Sequence, residues 1–323
     1  MLRKIIKKLH AFPLLWKTLG CYFRPNGVIV LMYHRIGDEQ GFFPSFSVEK
    51  FSEQMSWVKS NCNVINPDAF EESIKNNKKN KPNILITFDD GYKCCYDYAY
   101  PILENLSLPA LVFLATQPPD EGGMIWTDYL YFLIFNTKEK TVELPWNKEQ
   151  VSLASESDKN NSLSVLKSQL KKFENELRIK YLFSLKLSLN VPDELNLSRQ
   201  MLNWDEVRGS LAVVTYGGHT HTHPIMSSLT EEELDFEIKT CKERIFEETG
   251  IHPKSFAYPN GTLADYNELS LKVLKKHGFK IAYTTNEGFN DIDASLMEIK
   301  RIPTTANNLA DFVWLISRVG KNS

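Results

Sequence analysis

Two short runs of consecutive apolar residues stop abruptly at polar groups, and they restrict what this chain can fold into more than any other feature. Gly27-Val28-Ile29-Val30-Leu31-Met32-Tyr33 ends at His34-Arg35, and Ile84-Leu85-Ile86 ends at Thr87-Phe88-Asp89-Asp90-Gly91. Runs without polar alternation suit strands buried on both faces, and they fall far short of the length that spans a bilayer. Helical spacing follows, with Phe51, Met55 and Val58 after a start at Ser47, and again over 92–106, where Pro101 marks a kink or a new start. Further strand candidates at 64–67, 108–115, 211–216, 255–258, 281–283 and 299–302 alternate with helices. One of these helices opens at Thr230 with Glu233 in capping-box spacing and ends at Gly250; another covers 266–277. The alternation predicts an α/β fold with a parallel sheet and helical crossovers.

The rhythm breaks between Gln117 and Arg199. Pro118-Pro119 and Gly122-Gly123 open this stretch, a polar segment crosses 155–164, and a long helix is expected around 166–182. We read 117–199 as a mainly helical insertion into one domain spanning 25–323, preceded by a basic amphipathic segment, 1–24. No acidic residue occurs from Met1 to Gly37, and Leu2, Ile5, Ile6 and Leu9 recur at helical spacing. Residues 1–20 therefore suit either peripheral contact with an anionic membrane or a short helix packed on its own domain. Pro13 and Lys17 interrupt what would otherwise be a secretory signal. Five scattered cysteines without a CxxC pair point to a reducing compartment, so the expected location is cytoplasmic, at the inner membrane surface. A formal net charge of -2 and a pI near 6.4 give no basic excess for nucleic acid.

Chemistry concentrates at two strand ends. Asp89 and Asp90 place adjacent carboxylates where a buried strand stops, and such a pair repels itself unless a cation or a shared proton intervenes. His219-Thr220-His221-Thr222-His223-Pro224 gathers three of the seven histidines just after Gly217-Gly218. A helical turn there would put His219 and His223 on one face, whereas an extended loop would align all three. Two imidazoles and one carboxylate make a three-ligand site with an open position, the arrangement of hydrolytic rather than structural zinc. The second aspartate would then be free to take a proton from a water activated there. A ferrous oxygenase uses an equivalent donor set, but its histidine and carboxylate usually share a short HxD segment, which this chain lacks.

These residues resemble the polysaccharide deacetylases of carbohydrate esterase family four, which share the homology domain of the nodulation chitooligosaccharide deacetylase. Thr87-Phe88-Asp89-Asp90-Gly91 is similar to the family's first motif and the histidine segment to its second. The resemblance implies an irregular (β/α) barrel of about seven strands, Asp89 as general base, and Asp90, His219 and His223 as metal ligands, with His221 outside the ligand set. Tyr258, Pro259 and Asn260, in Phe256-Ala257-Tyr258-Pro259-Asn260-Gly261, resemble the third motif, which forms a groove wall and helps supply a backbone donor to the oxyanion. Ala257 stands where that motif has an arginine, and Asn260 where it has an aromatic residue. Arg301 resembles the late motif in position and is expected to supply the missing catalytic charge near Asp89. No late histidine follows His277; His34 instead matches the early strand of biofilm poly-N-acetylglucosamine deacetylases and becomes the expected general acid.

The resemblance covers about 27–118 and 201–305. It implies a hydrolase that removes N-acetyl groups from amino sugars of a polysaccharide or lipid-linked glycan in bacterial surface glycan synthesis. The expected cofactor is a divalent metal, zinc first, with cobalt or another first-row ion compatible. O-acetyl esterase activity and an inactive glycan-binding homologue are the alternatives.

Overall fold

The two apolar runs lie side by side. In the computed structural model, which describes residues 27–75, 81–192, 198–304 and 306–319, the strand Val28–Tyr33 pairs in parallel with Asn83–Phe88. Leu31 stands opposite Ile86, and Tyr33 opposite Phe88. The basic segment 1–24, with its expected membrane contact through 1–20, lies outside the described residues.

The main sheet is built in chain order from β1 (Val28–Tyr33), β2 (Asn63–Val64), β3 (Asn83–Phe88), β4 (Ala110–Leu114), β5 (Val214–Gly218), β6 (Ser255–Ala257), β7 (Ile281–Tyr283) and β8 (Ile302–Pro303). Its spatial order is β7-β6-β5-β4-β3-β1-β8, with β2 pairing beside the start of β3. Every pairing is parallel. The last segment draws the two edges together, since Ile299 bridges Tyr283 while Ile302 pairs with Leu31. The result is a curled barrel-like sheet, the α/β architecture that the alternating pattern predicts.

Why β1 and β3 carry no polar alternation follows from where their two faces go. Successive side chains point to opposite faces of a strand. Ile29, Leu31, Ile84, Ile86 and Phe88 enter the outer core beneath helix α1 (Val48–Asn61), whereas Val28, Val30 and Leu85 enter the barrel interior with Leu111, Phe113 and Ala257. Both destinations are dry, and each such side chain contributes roughly 1.5–3 kcal/mol on burial. A polar residue on either face needs a partner there, as Thr87 shows by donating its hydroxyl to the Leu31 carbonyl at 2.7 Å.

Between β4 and β5 the chain forms α2 (Trp126–Asn136), a hairpin (Thr141–Glu143 with Gln150–Ser152), α3 (Glu156–Leu170) and α4 (Asn175–Leu189). These elements share a separate apolar cluster that includes Leu130, Leu133, Leu166, Leu170 and Leu185. The single helix expected over 166–182 is in fact two, broken at 171–174. The break lets Phe173 pack against Trp146 and Tyr181, with ring centroids 5.4 and 4.9 Å away. The strand expected at 211–216 runs instead from Val214 to Gly218, because residues 210–213 turn out of the preceding helix. Helix α5 (Glu231–Thr249) has the capping box of Thr230 with Glu233, and it ends at a left-handed Gly250. Among the described residues no helix is long and apolar enough to cross a membrane.

Candidate active site

A parallel sheet gathers the C-terminal ends of its strands at one rim. His34 follows β1 there, Asp89 and Asp90 follow β3, His219 follows β5, and Tyr258 follows β6. Asp89 extends the ladder by one hydrogen bond, its N–H donating to the Tyr33 carbonyl at 3.0 Å. Asp90 then takes the left-handed conformation at φ 72°. Gly91, at φ 86°, completes the reversal, where a Cβ would fall 2.3 Å from the Leu114 side chain. Left-handed backbone disfavours side chains with a Cβ, and it persists where surrounding structure enforces it. Here it separates two adjacent carboxylates into different environments.

The histidine loop is neither a helical turn nor extended. Thr220 and His223 both sit in the left-handed region, at φ 64° and 60°, and the curl puts the rings of His219 and His223 4.8 Å apart. His221 turns away, to a hydrogen bond between its Nδ1 and Thr116 Oγ1 at 2.9 Å. Nε2 of His219 and Nε2 of His223 each lie 3.2 Å from the same Asp90 oxygen, Oδ1.

This donor set fits a divalent ion. The three ligand atoms lie within 4.8 Å of one another, and all three residues are buried. Nδ1 of His219 lies 2.7 Å from the Ala257 carbonyl, which only accepts, so Nδ1 carries the proton and the neutral ring presents a lone pair at Nε2. Lone pairs converging on a carboxylate oxygen repel unless a cation or a proton lies between them. Burial opposes charge on Asp90, yet the hydrogen bonds from both histidines hold its carboxyl well below the ordinary range. Burial also opposes the proton on each imidazole; Asp90 and Asp89 together lift the His219 pKa above its usual value, whereas burial prevails at His223. A bound ion would displace that proton, since imidazole ligates only in its neutral form.

Asp89 is held from behind. Arg301 meets it with two parallel bonds, Nη1 to Oδ1 at 2.6 Å and Nη2 to Oδ2 at 2.7 Å, while Nε donates to the Thr284 carbonyl at 2.7 Å. Arg301 is 0% exposed, and its guanidinium lies over the Phe113 ring inside the barrel. Burial alone would raise the Asp89 pKa, but the Arg301 charge, assisted by His34, reverses the sign and holds the carboxyl below its ordinary range. His34 stands on the open side, its side chain 47% exposed and its Nε2 3.8 Å from Asp89 Oδ2. Base and acid candidates therefore border the same metal triad.

The third motif departs from expectation in part. Tyr258 is 0% exposed, its hydroxyl donates to the Met297 carbonyl at 2.9 Å, and its ring stacks on Tyr266. Its side chain supports the loop from beneath and presents no polar group to a ligand. Pro259 is buried as well. Asn260 is partly exposed and left-handed at φ 60°, its carbonyl accepting from Thr285 Oγ1 at 2.8 Å and its Nδ2 buried without a partner. The segment starts against the ligand ring, since the preceding Ala257 carbonyl is the one that orients His219.

Sequence reasoning missed four residues that shape this site. Glu237 accepts from the backbone N–H groups of His221 and Thr222, both at 2.8 Å, and from Thr222 Oγ1 at 2.6 Å, so one buried carboxylate fixes the histidine loop. Its signal was available: it shares the buried face of α5 with Leu234, Ile238, Cys241 and Ile245, where a carboxylate needs a reason. Tyr92 is buried beside the site, and burial together with the nearby Asp128 and Asp90 charges pushes its phenol well above the ordinary range. Arg35 lies between the Tyr92 and Phe43 rings, 3.8 and 4.4 Å from their centroids, and its Nη2 bonds Asp128 at 2.6 Å. Asp128 thus links α2, through Arg35, to the Tyr92 ring near the candidate metal ligand Asp90, through partners far apart in sequence. Outer partners of metal ligands typically matter by a factor of about 10–100. Tyr92→Phe is expected to weaken divalent-ion affinity by that order, read by competition with a chromogenic chelator; an unchanged affinity would remove Tyr92 from this role.

Comparison with known proteins agrees with the geometry. A polysaccharide deacetylase family model matches residues 76–160 and 197–282, more than half of the chain and both motif segments. A Bacillus subtilis protein, YxkH, is 32% identical over 95 residues, 28% of this chain and 33% of its own length. The poly-β-1,6-N-acetyl-D-glucosamine N-deacetylase of Staphylococcus aureus strain MSSA476 is 29% identical over 109 residues, 29% of this chain and 38% of its own. Each alignment therefore spans well under two thirds of the relative. Among solved structures, the Streptococcus pyogenes deacetylase PplD superimposes with a TM-score of 0.62 at 18% identity, over 91% of this chain and 99% of that one, a likeness of fold. With the sheet, the Asp-His-His triad and the family match in agreement, the chain belongs to the polysaccharide deacetylase family and carries a candidate divalent-metal site.

Proposed function

We propose that this enzyme removes N-acetyl groups from amino sugars of a polysaccharide or lipid-linked glycan, in bacterial surface glycan synthesis. The observation that carries the reading is the placement of Asp89 and His34, 3.8 Å apart, beside the triad Asp90, His219 and His223. Asp90, His219 and His223 would hold a divalent ion, which would supply Lewis acidity toward the acetyl carbonyl and lower the pKa of an attacking water. Zinc is the first choice for two imidazoles and a carboxylate, with cobalt or another first-row ion compatible.

Asp89 accepts the proton of the attacking water, and Arg301 keeps that carboxylate ionised and aimed. His34, on the exposed side, donates to the leaving nitrogen. Loop 258–260 supplies a backbone N–H to the developing oxyanion, with Asn260 the candidate donor. The domain that does this spans 25–323, with 117–199 as its insertion.

An amide leaves as a poorer group than an alkoxide and needs the acid more. Incubation with N-acetylglucosamine oligomers is expected to release acetate, to stop on chelation and to resume with added metal ion. His34→Gln should lower N-deacetylation by about 100-fold or more, within the range for general acids, and O-deacetylation of an acetylated sugar less. Acetate release from the O-acetyl substrate alone would make the protein an esterase.

A cytoplasmic position at the inner membrane surface, with residues 1–20 on anionic lipid, suits a lipid-linked or nascent glycan. Removing those residues is expected to shift the protein from the membrane fraction to the soluble one; an unchanged distribution would count against attachment.

A further inference from the structure

A cleft of about 720 Å³ lies where α2 and α4 face α5, backing onto the histidine loop through Thr222 and Glu237. Its walls are apolar, from Met124, Ile179, Leu182, Phe183 and Phe236. Ile179, Phe183 and Phe236 are 58%, 59% and 57% exposed, an unusual amount of open apolar surface on neighbouring helices. Two polar groups in this lining are out of keeping with it. Trp126 and Arg178 are 9% and 1% exposed, and Trp126 Nε1 and Arg178 Nη1 are both buried donors without a partner. They are neighbours, with the guanidinium carbon 5.3 Å over the Trp126 ring, and Nη2 donates to Asn175 Oδ1 at 2.5 Å.

Of the three carboxylates in the same lining, Glu232 is exposed to solvent and the other two are already committed. Glu237 accepts three bonds from the histidine loop, and Glu233 closes the capping box at Thr230. Burial lowers the hold of Arg178 on its proton, and Glu237 and Glu233 offset this only in part. What the cleft offers is therefore an apolar wall and two unpaired donors, one of them cationic. A buried donor left unpaired is unfavourable, and a ligand acceptor that reaches it removes the penalty.

We propose that this cleft binds a single-chain anionic amphiphile, an aliphatic chain along the α4–α5 walls with a phosphate or carboxylate on Arg178 and Trp126. The volume matches one small-molecule chain. The proposal does not depend on the deacetylation chemistry, because its readout is binding.

The test uses the full chain and three probes below their micellar concentrations: dodecyl phosphate, dodecanol and dodecyltrimethylammonium, titrated calorimetrically. Dodecyl phosphate is expected to bind with one-to-one stoichiometry, at least ten-fold tighter than the cationic probe. Arg178→Met should reduce that preference to three-fold or less. Should that variant fail to fold by circular dichroism, Trp126→Phe removes only the indole donor and should weaken dodecyl phosphate at least three-fold without changing dodecanol. Phe183→Ser should weaken all chained probes alike. Equal binding of anionic and cationic probes, or a preference that survives the donor substitutions, would overturn the proposal. Sedimentation with anionic phospholipid vesicles but no saturable binding of monomeric probe would also overturn it, in favour of contact with a membrane surface.

Discussion

Asp89→Asn is expected to lower kcat for acetyl release by about 10²–10⁴-fold, the usual contribution of a positioned general base. The amide keeps the shape and one acceptor oxygen, but it takes no proton from water at neutral pH. Asp90, His219 and His223 are untouched, so metal stoichiometry, measured by elemental analysis of the purified variant, should stay at the parent level. The expected pattern is thus a large fall in kcat with the ion retained. Comparable turnover in variant and parent would place the base elsewhere. Among the described residues, His34 stands on the exposed side of Asp89 at 3.8 Å, and a swap of roles would then appear as a larger effect of His34→Gln. The comparison also distinguishes a metal ligand from its neighbour. Asp90→Asn should lose the ion first and turnover in consequence, because Asp90 Oδ1 is the oxygen on which both imidazoles converge.

Much of this site is legible in sequence because its principal residues are contiguous in motifs and sit at strand ends. An apolar run announces β3, and whatever follows it is projected from a rigid edge; Asp89 and Asp90 need no further information to be placed together. The histidine segment is legible as a cluster, but which two rings share a face is not. Left-handed backbone at Thr220 and His223 decides that, and neither residue type advertises it. Tyr258 shows the opposite difficulty. A resemblance to the groove-wall motif does not say which way its side chain faces, and here the ring completes a stack with Tyr266 while the hydroxyl donates to the Met297 carbonyl. The Arg35–Asp128 pair joins residues 93 apart and crosses into the insertion, a contact that only the assembled fold creates. The split of the expected 166–182 helix has the same origin, for helical propensity continues through 171–174 and tertiary packing of Phe173 overrides it.

Arg301→Ala should reveal how far the barrel interior sustains the base. Removing one partner of a buried ion pair typically destabilises by roughly 3–5 kcal/mol, because the other charge stays buried and uncompensated. Thermal unfolding of the variant is accordingly expected to shift to lower temperature. The pH response has a definite sign. In the parent, Asp89 titrates below its unfolded value, so its contribution to stability is present above that value and is lost as pH falls through the folded one. Without Arg301, burial acts on Asp89 with only His34 and His219 left to oppose it, and the carboxyl pKa rises. The acid limb of kcat/KM should therefore move to higher pH, with part of the lost activity recovered in alkaline buffer. A purely structural role predicts lower stability with an unmoved limb, so the pH profile separates the two. Replacing both members, as in Asp89→Leu with Arg301→Met, removes the unpaired charge, and the double variant should be more stable than Arg301→Ala while staying inactive. That combination would show the pair to be maintained for chemistry, since the barrel interior would hold together without it.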